Sequence, residues 1–88
     1  MAQVHIPALL RAATGGREFV EAPGRTVREV VQALEEQFPD LRGRLVNDGK
    51  LLSNLAVGID GEISSIGLAD EVGPEAEVQF LAAIKGGR

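Results

Sequence analysis

Cysteine is absent from this sequence, and histidine occurs once, at His5. Without cysteine there is no disulfide framework and no thiolate chemistry within the chain. A single histidine leaves little room for a metal site or a histidine-based triad. Positive charge is in deficit: 9 Lys and Arg stand against 13 Asp and Glu, a formal net charge of -4. A phosphate backbone demands a positive surface, so nucleic acid is not expected as a partner. Long apolar runs are missing too. None approaches the roughly 20 residues that cross a bilayer, and no membrane role is expected. The opening Met1-Ala2-Gln3-Val4-His5 lacks a basic segment followed by an apolar one. No signal peptide is expected, and the expected location is cytoplasmic. What remains is enough to fold: 88 residues, 44% hydrophobic and 25% charged, fit one small domain. No nucleophile–base pair or metal cluster is visible, so an enzyme acting alone is not expected. Function is expected in a surface or a chain end.

The opening residues alternate. Val4, Ile6, Ala8 and Leu10 interleave with Gln3, His5, Pro7 and Leu9, which predicts a strand with one face on a core. Pro7 lacks an N–H and demands an edge or a bulge there. Thr14-Gly15-Gly16-Arg17 is a turn, and Arg17–Ala22 a second strand with Val20 and Ala22 inward and Phe19 on the other face. Together they predict an N-terminal hairpin. Thr26 followed by Glu29 is a capping box, opening a helix whose stripe is Val27, Val30, Val31, Leu34 and Phe38. Pro39 ends it.

Beyond the helix, Leu41 and Leu45 are expected to pack back from a short turn or 3₁₀ segment. Val46–Asn54, with Asn47-Asp48-Gly49-Lys50, is expected to be an exposed loop. Leu55–Asp60 is a third strand with Leu55, Val57 and Ile59 on one face, ending in the Asp60-Gly61 turn. A short strand is expected at Glu62–Ser64 and a helical turn near Leu68–Glu71. The last strand, Glu77–Ile84, points Val78 and Phe80 inward and runs into Lys85-Gly86-Gly87-Arg88. Asp48, Asp60 and Asp70 are turn or cap residues, His5 a surface or loop-packed residue, and Gly15-Gly16 lacks the following Lys of a phosphate loop. The order predicts an α+β fold: a mixed sheet of four to five strands packed on one main helix, the β-grasp arrangement. A different small α+β sandwich fits this pattern nearly as well.

The strand running into Gly86-Gly87, together with the Gly15-Gly16 turn, the capped helix and the strand before Asp60-Gly61, resembles the ubiquitin-like sulfur-carrier family, MoaD and ThiS. Ile6-Pro7-Ala8-Leu9-Leu10-Arg11 and Thr14-Gly15-Gly16 are most similar to its cysteine-biosynthesis carriers. The resemblance implies a ubiquitin-like β-grasp domain over 1–84 and a flexible tail over 85–88. It implies that an E1-like enzyme uses ATP to adenylate the carboxylate of Gly87. Sulfur then displaces AMP to give a thiocarboxylate, which a sulfur-acceptor enzyme consumes. The chain itself binds no cofactor or metal and has no catalytic residue. Gly86 and Gly87 lack Cβ atoms and suit entry into a narrow channel. The family's chains stop at the second glycine, so Arg88 is expected to be removed, for which a JAMM-type metallopeptidase is a plausible partner; a cloning remnant is the plainer explanation.

Partner binding is expected around the tail. Leu81 and Ala83 point opposite to Phe80, and Phe19 and Leu81 are expected to share an apolar patch beside it. Lys85 is expected to face an acidic rim of the partner. Three other readings stay open: a ubiquitin-like modifier conjugated to lysines, the small subunit of molybdopterin synthase, and a β-grasp binding domain whose Gly-Gly is incidental. Cysteine, molybdopterin, thiamin and thio-metabolite pathways all remain open for the sulfur.

Overall fold

The capping box closes the helix as its residue types require. Thr26 sits in extended geometry, and its hydroxyl oxygen accepts the Glu29 N–H at 3.2 Å. The Glu29 carboxylate reaches back one residue further than in the standard box and accepts the Arg25 N–H at 2.8 Å. The helix α1 then runs Val27–Gln37 and buries Val27, Val30, Val31 and Leu34. Phe38 ends the stripe and still packs against the core. It is the half-buried C-cap, with φ -132° and ψ 85°, because the residue before a proline is pushed out of helical geometry. Pro39 starts a 3₁₀ turn, Pro39–Leu41, that drives Leu41 into the core.

In the computed structural model, residues 1–82 are described. Seven strands appear among them: β1 Ala2–His5, β2 Phe19–Ala22, β3 Val46–Asn47, β4 Lys50–Leu51, β5 Leu55–Ile59, β6 Glu62–Ile63 and β7 Glu77–Ala82. Five form one mixed sheet in the order β2-β1-β7-β5-β6. β1 and β7 are parallel, with Val4 opposite Val78; the other neighbours are antiparallel. The crossover between those parallel strands contains α1, which covers one face of the sheet. This is the β-grasp fold. Val4, Val20, Ala22, Val57, Val78 and Phe80 line the covered face, and Leu41, Leu45, Leu68 and Val72 close its margins. No helix among the described residues is long and apolar enough to cross a membrane.

Several segments differ from the sequence reading, among them the second strand, which begins at Phe19 rather than Arg17. The first strand stops at His5, and Ala8–Thr14 is a 3₁₀ helix. Pro7 has no N–H for the sheet, but its carbonyl accepts the Leu10 N–H at 2.9 Å and so starts the helical turns. β1 and β2 are therefore antiparallel neighbours joined by a helical excursion rather than a tight hairpin. Thr14 is buried with its hydroxyl oxygen 3.1 Å from the Arg11 carbonyl and 2.9 Å from the Arg17 carbonyl, and Gly15 and Gly16 at φ 67° and 87° complete the return. Within the expected loop Val46–Asn54, β3 and β4 pair as a small hairpin. Asp48 at φ 58° and Gly49 at φ 74° form its turn, the paired positive dihedrals that match strand twist. The late helical turn is Gly67–Ala69, slightly before its expected place, and the short strand is Glu62–Ile63 rather than Glu62–Ser64.

Candidate functional site

The candidate site is the end of the sheet toward which β7 runs. β7 lies centrally, paired with β1 on one side and with β5 on the other through Ala82 opposite Leu55. Val78 and Phe80 are 0% and 1% exposed, so their inward placement anchors the strand in the core. The intervening Gln79 and Leu81 then belong to the uncovered face. Ala83, Lys85, Gly86, Gly87 and Arg88, all named from the sequence, lie outside the described residues, as does the expected boundary at 84.

Phe19 is 52% exposed on the uncovered face, and Leu81 is partly buried. The register separates them. Phe19 pairs with His5, and His5 pairs with Gln79, whereas Leu81 lies beyond Gln79 and pairs with Ala56. The two residues share a face but stand two strands apart, with His5 between them. The His5 ring lies against Phe19 at 5.1 Å between centroids.

A polar cluster fills that interval. His5 Nε2 is 3.3 Å from a Glu18 carboxylate oxygen and 3.4 Å from the Arg11 guanidinium. Arg11 lies 3.6 Å from the same Glu18 oxygen and donates from Nε to the Ile6 carbonyl at 3.1 Å. His5 Nδ1 is buried without a hydrogen-bond partner. Arg11 ties the 3₁₀ segment to the end of β1, immediately beside the path of β7.

Sequence reasoning passed over four exposed apolar residues, Met1, Leu9, Ile63 and Ile66. Leu9, 92% exposed, sits on the 3₁₀ segment that follows β1. Its exposure was hidden because alternation treated the segment as a strand. Ile63, 61% exposed, is on β6 opposite Gly58. A Cβ at Gly58 would meet both the Ile63 and Gln79 side chains at 3.8 Å, so these two cover the glycine on the outer face. Among the described residues, no group of three or more His, Asp or Glu side chains is arranged to hold a metal ion.

Comparison with known proteins matches residues 4–87 to the ThiS family. The sulfur carrier protein CysO of Mycobacterium tuberculosis is 35% identical over 89 residues, covering 96% of each chain. Its crystal structure superposes with a TM-score of 0.87 at 31% identity, over 96% of this chain and 100% of that one. A chain from the Amycolatopsis orientalis BexX/CysO complex gives 0.89 at 35% identity, over 99% and 100%. Small archaeal modifier protein 1 from Haloferax volcanii gives 0.69 at 27% identity, over 94% and 97%.

Proposed function

This chain belongs to the ThiS family, and from that premise we propose that it is a sulfur carrier whose Gly87 thiocarboxylate serves a cysteine-forming enzyme. The observation that carries this is the 35% identity, across nearly the whole of both chains, to a protein named as the sulfur carrier CysO. The family match ends at residue 87, at the second glycine of the tail.

The chemistry follows from the carboxylate. An E1-like enzyme positions the Gly87 carboxylate against the α-phosphate of ATP. The oxygen attacks, pyrophosphate leaves, and a mixed anhydride with AMP forms. A sulfur nucleophile then attacks the carbonyl carbon and AMP departs, leaving a thiocarboxylate after the sulfur is freed from its donor. The carrier performs no catalysis; it presents the reacting carbon. Beyond the domain at 1–84, residues 85–87 reach roughly 10 Å when extended. The folded body therefore stays outside a channel while its end reacts, and binding energy from the body orients that end. Phe19 and Leu81 are assigned to this docking, together with Ala83 and Lys85.

Arg88 blocks the first step. While it is present, the Gly87 carbonyl is an amide with no free carboxylate to attack phosphorus. Removal of Arg88 by a peptidase, for which a JAMM-type metalloenzyme is suited, releases the reacting group. The test compares proteins ending at Gly87 and at Arg88 after incubation with ATP, the adenylating enzyme and a sulfur donor. The Gly87 form is expected to gain about 16 Da as sulfur replaces oxygen. Equal modification of the Arg88 form would refute Gly87 as the reacting residue. Similarity to the archaeal modifier supports a second reading, in which a lysine amine attacks the same adenylate. Conjugates that survive denaturation and dithiothreitol would favour it.

A further inference from the structure

We infer that the tail-side end of this molecule is a basic docking collar, fitted to a partner protein whose channel mouth is rimmed with acidic side chains. This rests on the carrier reading above and specifies the partner surface. Four arginines come together at that end from three separated stretches of sequence. Because β1 runs parallel to β7, the 3₁₀ segment after β1, with Arg11, lies where β7 finishes. β2 is antiparallel to β1 with Phe19 opposite His5, so the exposed Arg17 just before it belongs to the same end. The Pro39–Leu41 turn packs against the Ala8–Thr14 segment. Exposed Arg42 and Arg44 follow that turn, their N–H groups donating to Pro39 and Leu41 carbonyls. The next residue, Leu45, accepts from Leu52, whose carbonyl accepts from Leu55, the residue opposite Ala82.

Only Glu18 and Asp40 oppose these cations on the same described segments, and Glu18 is already engaged by Arg11 and His5. The far end has the opposite sign. Asp60, Glu62, Asp70, Glu71, Glu75 and Glu77 cluster in its turns and strand starts. Arg25 and Arg28 are the basic residues beside them at the start of α1. A chain of net charge -4 thus gathers four of its arginines at the end where β7 finishes, while its far end is acidic in balance. Such a dipole turns the tail-bearing end toward a negative surface before contact, which raises the rate of productive encounters. Polyanions would meet the same arginines, but the net charge and acidic far end oppose their approach.

The experiment follows capture of the Gly87-ending carrier by the E1-like adenylating enzyme of the same organism, in stopped flow across a series of ionic strengths. Arg42→Glu with Arg44→Glu is compared with Arg25→Glu with Arg28→Glu, which changes net charge equally at the other end. Thermal melts establish that both variants fold, and Arg17→Glu serves as an independent single change. The tail-end double variant is expected to associate at least about tenfold more slowly at low salt, with a flattened salt dependence. The far-end pair is expected to stay within about twofold of the parent. Equal slowing in both pairs, or none in the tail-end pair, overturns the collar. Tight retention of the parent on heparin with unaltered enzyme capture in the tail-end variant overturns it in favour of a polyanion. A parent chain that the enzyme neither captures nor adenylates overturns the carrier reading as well; adenylation of the parent with indifferent variants overturns the collar alone.

Discussion

Leucine-to-alanine changes at Leu34 and Leu9 apply the same chemistry at opposite extremes of burial: Leu34 is 0% exposed on α1 and Leu9 is 92% exposed. Removing three carbons at Leu34 forfeits about 2.4 kcal/mol, at about 0.8 kcal/mol for each buried methylene equivalent. Helix and sheet are both pinned by other buried residues, so the space collapses only in part. Each 50 Å³ left empty adds about 1.2 kcal/mol. Alanine's slightly better helix propensity returns about 0.2 kcal/mol. The expected loss is about 2.5–4 kcal/mol. In a domain of this size that lowers Tm by roughly 10–30 °C. Leu9→Ala is expected to stay within about 0.5 kcal/mol. Urea titration with a shared slope measures both. A loss below about 0.5 kcal/mol at Leu34, or an equal loss at Leu9, would refute the assignment of α1's buried face.

Gly24→Ala is expected to cost more than about 1 kcal/mol, because Gly24 has φ 147° and a Cβ there would lie 2.8 Å from the Val30 nitrogen; a denaturation midpoint at the parent value would disprove the close approach. Leu81→Asp, on the uncovered face, is expected to weaken capture by the adenylating enzyme at least about tenfold while the melt is preserved. Unchanged affinity would remove Leu81 from the docking surface, and a lost folding transition would show that its side chain is needed by the core.

What could be seen in advance depended on how local the cause is. Val27, Val30, Val31 and Leu34 repeat at helical spacing, and Thr26, Glu29 and Pro39 bound them, so α1 was legible within one stretch. Val78 and Phe80 were legible for the same reason. The 3₁₀ segment was not, because Ala8–Thr14 is too short to show a period, and Leu10 can be read as the next inward residue of a strand. The Asp48-Gly49 turn was visible, but the strands on either side have only two residues each, too few for alternation to register. At the candidate site, alternation placed Phe19 and Leu81 on one face. It could not reveal that β1 inserts His5 between them, since strand order is set by the crossover through α1. Gly86-Gly87 acquired chemical meaning through family resemblance, for two glycines alone specify no reaction. The arginine collar draws on residues 11, 17, 42 and 44, which no short window brings together.

The central position of β7 has a mechanical consequence. A partner that draws on the tail pulls along the axis of a strand held on both flanks, by β1 and by β5. The load falls on several hydrogen bonds at once, in shear, rather than opening them one after another as it would at a peeling edge. Tension at the tail is thus carried into both flanking strands rather than into one.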